Sequence, residues 1–105
     1  QLSQSQIIFI VILFLYSKII KMEDYFKDIE NKLKKKINYE KLEIINNSDK
    51  HVGHKFFSKE RYHLHLKISS VYLKSISRLS AQKLIMNTLK EDLKNKIHAL
   101  QITID

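Results

Sequence analysis

Five histidines and no cysteine carry the metal-binding potential of this 105-residue chain. His98 stands in Ile97-His98-Ala99-Leu100-Gln101-Ile102, at the mouth of a short apolar strand, where a neutral imidazole has a nitrogen to offer a metal. His51 and His54 lie three apart in a polar stretch that can bend, while His63 and His65 alternate with leucines. Because the chain has no thiolate, any soft metal centre it holds must take its sulfur donors from another molecule. Each histidine also has a plainer use. An imidazole beside a strand is more often a satisfied structural side chain, and a histidine pair without a third ligand does not make a site.

Other chemistry is excluded more directly. A hydrolase or transferase needs a nucleophile beside a base, or paired carboxylates in a pocket, and neither pattern is recognisable. Glu91-Asp92 reads as a helix face. One glycine, Gly53, cannot build a phosphate-cradling loop. The absence of cysteine rules out a disulfide framework and a self-contained Cys-ligated zinc or iron–sulfur site. A net charge of +8 suits an anionic partner such as nucleic acid, an acidic protein surface or a lipid headgroup. Lys34, Lys35 and Lys36 read more simply as the solvated end of a helix, opposing the negative end of its dipole.

The elements that must position the histidines follow from periodicity. From Met22, Phe26, Ile29, Leu33 and Ile37 recur at spacings of three and four, which predicts an amphipathic first helix with acids early and lysines late. Tyr39 to Asn46 reads as a short strand ending in the polar cluster Asn46-Asn47-Ser48-Asp49, followed by a loop from about 47 to 60. Leu64, Leu66 and Ile68 alternate with His63, His65 and Lys67, the period of a strand buried on one face. His65 is expected on its exposed face. Leu79, Ile85, Met86, Leu89 and Leu93 form the apolar stripe of a second helix running to about Lys94, and Leu100, Ile102 and Ile104 mark a third strand. A strand, a crossover helix and a strand place the second and third strands parallel. The expected unit is α+β, in the order α-β-β-α-β, spanning residues 22–105 with a three-stranded mixed sheet and helices packed on one face.

Residues 1–21 form an apolar extension around the unbroken run Ile7 to Tyr16. Ten residues match the core of a targeting signal and are too short to span a bilayer, which takes about 20. No basic residue precedes the run and no small-residue cleavage pattern follows it. Three readings compete, in order of preference: an anchor or targeting piece, an upstream extension ahead of a natural start at Met22, and a helix packed on the domain. Membrane contact is expected only through residues 7–20, if at all. Removing the extension takes away only Lys18 and Lys21, so the basic excess persists.

The order of elements resembles the BolA family. The likeness rests on Leu42-Glu43-Ile44, on Asn47 to His54, on His63-Leu64-His65-Leu66-Lys67-Ile68, on Leu84-Ile85 to Leu93-Lys94, and above all on Ile97-His98-Ala99-Leu100. That family is similar in fold to one form of the KH domain, without its glycine-rich nucleic-acid loop, and its eukaryotic members pair with monothiol glutaredoxins around a shared [2Fe–2S] cluster. The resemblance implies that His98 is the ligand at the start of the final strand and His51 the loop ligand, with His54 in reserve and His63 as a supporting partner. A cysteine of the glutaredoxin and glutathione would supply the thiolates. Acid should then release the cluster from the histidine side first. The chain departs from the family at Ala81-Gln82, where an Arg-His pair is usual, and at Tyr72 and Lys74, where Phe and Gly are frequent.

The function so implied is a non-enzymatic iron–sulfur adaptor, monomeric without its cluster and mitochondrial or cytoplasmic rather than secreted. The alternative is a KH-like nucleic-acid-binding or transcription-regulating module with weak nucleic-acid binding, for which the missing Gly-x-x-Gly clamp is the chief objection.

Overall fold

The computed structural model describes residues 1–48 and 61–105 of the chain. Helix α1 (Gln4–Lys36) opens with a reciprocal cap: Ser3 Oγ accepts from the Gln6 amide while the Gln6 side chain accepts from the Ser3 amide. Lys34, Lys35 and Lys36 occupy its last turn, and the chain turns extended at Ile37. The expectation that the first helix begins at Met22 is corrected. No proline or glycine interrupts residues 4–36, so the helix runs through Met22 as one piece of 33 residues.

Its two halves differ. Tyr25, Ile29, Leu33 and the following Ile37 are buried at a spacing of four, with Phe26 only partly covered. Ile7 to Tyr16, Ile19 and Ile20 are all exposed, which overturns the reading of this segment as a helix packed on the domain. The helix is long and apolar enough to cross a bilayer where the ten-residue run alone is not, because uncharged Ser5 and Gln6 and the pair Ile19-Ile20 extend it.

Strand β1 (Lys41–Asn46) pairs antiparallel with β2 (Tyr62–Ser69), and β2 pairs parallel with β3 (Ile97–Ile104), giving the order β1-β2-β3. The parallel β2–β3 pair is the one expected from the crossover. Leu64, Leu66 and Ile68 point into the core, as their alternation requires, and their cross-strand partners Leu100, Ile102 and Ile104 share that face. His63, His65 and Lys67 therefore stand on the opposite face, which the helices leave open.

The crossover holds three helices where one was expected: α2 (Val71–Ser75), α3 (Arg78–Thr88) and α4 (Lys90–Asn95). Buried Ser70 starts α2, its Oγ accepting from the Leu73 amide and donating to the Asn38 carbonyl at 2.7 Å. Between α3 and α4, Thr88 Oγ1 donates back to the Leu84 carbonyl, a bond that competes with the helical ladder. Leu89 then leaves helical geometry with its side chain fully buried. The break re-aims the stripe. Ala81, Ile85 and Leu89 are buried, whereas Leu79 and Met86, expected on the apolar face, are exposed.

Glu91 and Asp92 both lie on α4, as read from sequence, and Asp92 is turned inward, with only 4% of it exposed. Tyr25 donates its hydroxyl to Asp92 at 2.9 Å and Lys32 its ammonium at 2.8 Å, joining α1 to α4.

Candidate functional site

The site is built where β1 ends and β2 begins. Asn46 Oδ1 accepts from the Ser48 amide at 2.9 Å and from the Ser48 hydroxyl, closing a tight turn. Ser48 Oγ in turn accepts from the His63 amide at 3.1 Å, and the Asn47 amide donates to the His63 carbonyl at 2.7 Å. The backbone of His63 is thus tied to the turn through both of its polar groups, while inward-pointing Leu64 is buried in the core.

The other wall comes from β3. Tyr62 donates its amide to the Lys96 carbonyl at 2.8 Å, and Ile97, opposite Tyr62, is buried. One residue on, the partner of His63 is Ala99. His98 is therefore an extra residue in the ladder, displaced by a local irregularity of the kind that re-aims side chains at strand ends. The irregularity has a packing cause. Ile97 and Leu100 both turn toward the core, and three residues apart on a regular strand they would point to opposite faces.

His98 is exposed, and its ring lies 5.0 Å from that of His63, centre to centre, at 45°. Asn47, His63, His98, Ala99 and Gln101 border an open cleft of about 480 Å³. Next along the same sheet face, His65 Nε2 lies 2.7 Å from Thr103 Oγ1, so His65 is a half-buried, hydrogen-bonded residue and not a bare exposed one.

Of the histidines singled out from sequence, the fold brings His63 and His98 together. His51 and His54 lie outside the described residues, His51 three positions beyond Ser48. Among the described residues, no three His, Cys, Asp or Glu side chains gather as a metal-binding group. A metal centre at this cleft thus needs donors beyond these two imidazoles. The donor chemistry suits iron, since imidazole nitrogen is a competent ligand for it and the exposed ring leaves room for a second molecule. Asn47 and Gln101 were not singled out from sequence. The parity conflict between Ile97 and Leu100 is the signal that points to this strand end.

The strongest electrostatic perturbation lies elsewhere. Burial, together with its hydrogen bond to Asp92, holds the Tyr25 hydroxyl well above the ordinary tyrosine range. Burial likewise raises Tyr62, whose ring stacks on Tyr25 at 5.3 Å. These groups fasten α1 under the strand end that carries His63.

Comparisons with known proteins agree with this fold. Residues 33–105 match the family described as BolA-like protein. A protein of Sinorhizobium sp. described as an uncharacterized protein in the cobS 5′ region is 34% identical over 76 residues, covering 70% of this chain and 82% of that protein. The BolA domain of SufE1 from Arabidopsis thaliana superposes with a TM-score of 0.63 at 32% identity, covering 75% of this chain and 87% of that one. BolA1 from the same plant gives 0.62 at 26% identity with the same two coverages. BolA1 from Mus musculus gives 0.57 at 29%, covering 71% of this chain and 58% of the mouse protein.

Proposed function

The chain belongs to the BolA-like family, which is not a typical enzyme family, and on that premise we propose that it is a non-enzymatic adaptor that binds a monothiol glutaredoxin and shares a [2Fe–2S] cluster with it. The observation that carries this reading is the convergence of His63 and His98 on one open cleft, 5.0 Å apart at the end of the parallel strand pair. His98 is the residue that would offer nitrogen to the cluster, since it is exposed and displaced from the regular ladder. His51, three residues beyond the turn that holds His63, is the candidate for the second nitrogen, with His54 in reserve. His63 would orient the His98 ring, as a neighbouring group does for a ligating imidazole.

Sulfur must come from the partner because this chain has none to give as thiolate. A cysteine of the glutaredoxin and the thiol of glutathione complete such a donor set. Two neutral nitrogen ligands lessen the negative charge around the irons and raise the reduction potential relative to an all-thiolate cluster. An adaptor of this kind assists assembly or delivery of clusters by offering one side of the site and leaving the other to the glutaredoxin.

The test is a titration of this chain into a cluster-loaded monothiol glutaredoxin with glutathione, followed by visible absorbance and circular dichroism. A new histidine-dependent spectrum is expected. His98→Ala should abolish it, His51→Ala should remove most of it, and His54→Ala should leave it. A spectrum identical with and without the His98 imidazole rejects the assignment.

A further inference from the structure

We propose that the N-terminal half of α1 is seated in a lipid bilayer and holds the folded domain directly against the headgroups, on the face of the membrane where the lysines lie. The placement does not depend on what the histidines bind.

Ile7 to Leu15 are apolar at every position and so present hydrocarbon at every azimuth of the helix, and each of their side chains is exposed. A helix that is apolar all round belongs either in a protein core or in a membrane. The core reading fails, since none of these side chains is buried against the described residues. A helix lying flat on a membrane needs a polar face, and this segment has none. A second copy of the chain would cover only the stripe along which two helices meet, leaving the outer faces in water. A bilayer covers every azimuth.

The dimensions agree. Gln4 to Ile20 rise roughly 25 Å along α1, and with Leu2 and Ser3 ahead of them the segment comes close to the ~30 Å of a hydrocarbon core. The backbone amides at the far end are partly satisfied by the Ser3–Gln6 capping box, as an apolar medium demands. The only charge in that stretch is Lys18, two residues from its end, where a long stem can carry the ammonium to the interface. Tyr16 sits beside it at the level where aromatic rings gather.

Lys18, Lys21, Lys27 and Lys34 to Lys36 follow on the domain side, where ammonium groups face anionic headgroups. The first buried core residue, Tyr25, comes four residues after Lys21 in the same unbroken helix. No flexible linker separates the seated segment from the domain, so the His63–His98 cleft would be carried at a defined height above the lipid.

The experiment uses the full chain and vesicles of phosphatidylcholine and phosphatidylserine. Flotation of the chain with the vesicles is expected, persisting through high salt and alkaline carbonate. The double variant Ile10→Asp/Phe14→Asp should remain at the bottom of the gradient with its thermal unfolding unchanged, because both side chains lie outside the core. Since the chain has no cysteine, single thiols introduced by Ser3→Cys and Lys74→Cys report topology cleanly, and a membrane-impermeant reagent should label them from opposite sides of the vesicle.

Four results would overturn the proposal: equal flotation of the double variant, release by salt alone, a discrete soluble oligomer of the full chain that ignores vesicles, or recovery from cells of a soluble domain lacking residues 4–21.

Discussion

Asp92 is the side chain on which the packing of the helices turns. A buried carboxylate is tolerated only when its oxygens are bonded, and here Tyr25 and Lys32 take one oxygen each. Asp92→Ala leaves the Tyr25 hydroxyl buried without its acceptor and should cost about 1–3 kcal/mol. Lys32→Met should cost no more than about 1 kcal/mol, because Lys32 is 44% exposed and its ion pair is screened by solvent. Urea midpoints of the two variants distinguish these contributions. Tyr25 adds a pH dependence of definite sign. Its folded-state pKa is raised above the ordinary 10.0, first by burial and then by Asp92, so the folded protein keeps a proton that the unfolded chain releases. Its stabilising contribution is complete below pH 10.0 and falls as pH rises beyond it. Tyr25→Phe should show a shallower decline of stability above that pH in alkaline urea titrations, with a residual slope from Tyr62, whose pKa is raised as well.

The elements are held at their joints by small polar side chains. Ser70 is buried between β2 and α2, where one hydroxyl caps the helix and reaches the Asn38 carbonyl in the segment between α1 and β1. Ser70→Ala removes both bonds and should lower stability by about 1–2 kcal/mol, measurable as a shift in the denaturation midpoint with the slope unchanged. Ser48 plays the matching part at the other end of the sheet, joining the Asn46 turn to the His63 amide. The displaced His98 belongs to this scale too. Its departure from the ladder follows from two inward residues, Ile97 and Leu100, on either side of it.

For the whole molecule, the basic excess of +8 is the dominant long-range feature. Like-signed charge over a surface steers an acidic partner and acts on encounter more than on final affinity. Association with the proposed glutaredoxin partner should therefore slow as ionic strength rises, with a smaller change in dissociation, as stopped-flow mixing over a salt series would show. The overall shape, 62 Å in its longest dimension, reflects a compact domain with an apolar rod projecting from it. The open sheet face and the projecting helix are separate features, one suited to a protein partner and the other to lipid.

The amino-acid sequence alone determined the three strands and the inward face of the second, because alternation and turn chemistry are local and visible in consecutive residues; the crossover rule gave the parallel pairing of the last two, and the resemblance of whole motifs pointed to the family. It also marked His98 as a candidate ligand. Only the tertiary structure decided that His63 stands beside His98, since their adjacency depends on which strands pair and on a one-residue slip opposite Tyr62 and His63. Burial of Asp92 was illegible for the same reason: its partners Tyr25 and Lys32 lie more than fifty residues away. The exposure of Ile7 to Ile20 likewise depended on the path of α1, whose unbroken course carries that segment clear of the sheet, where the domain has no surface to cover it.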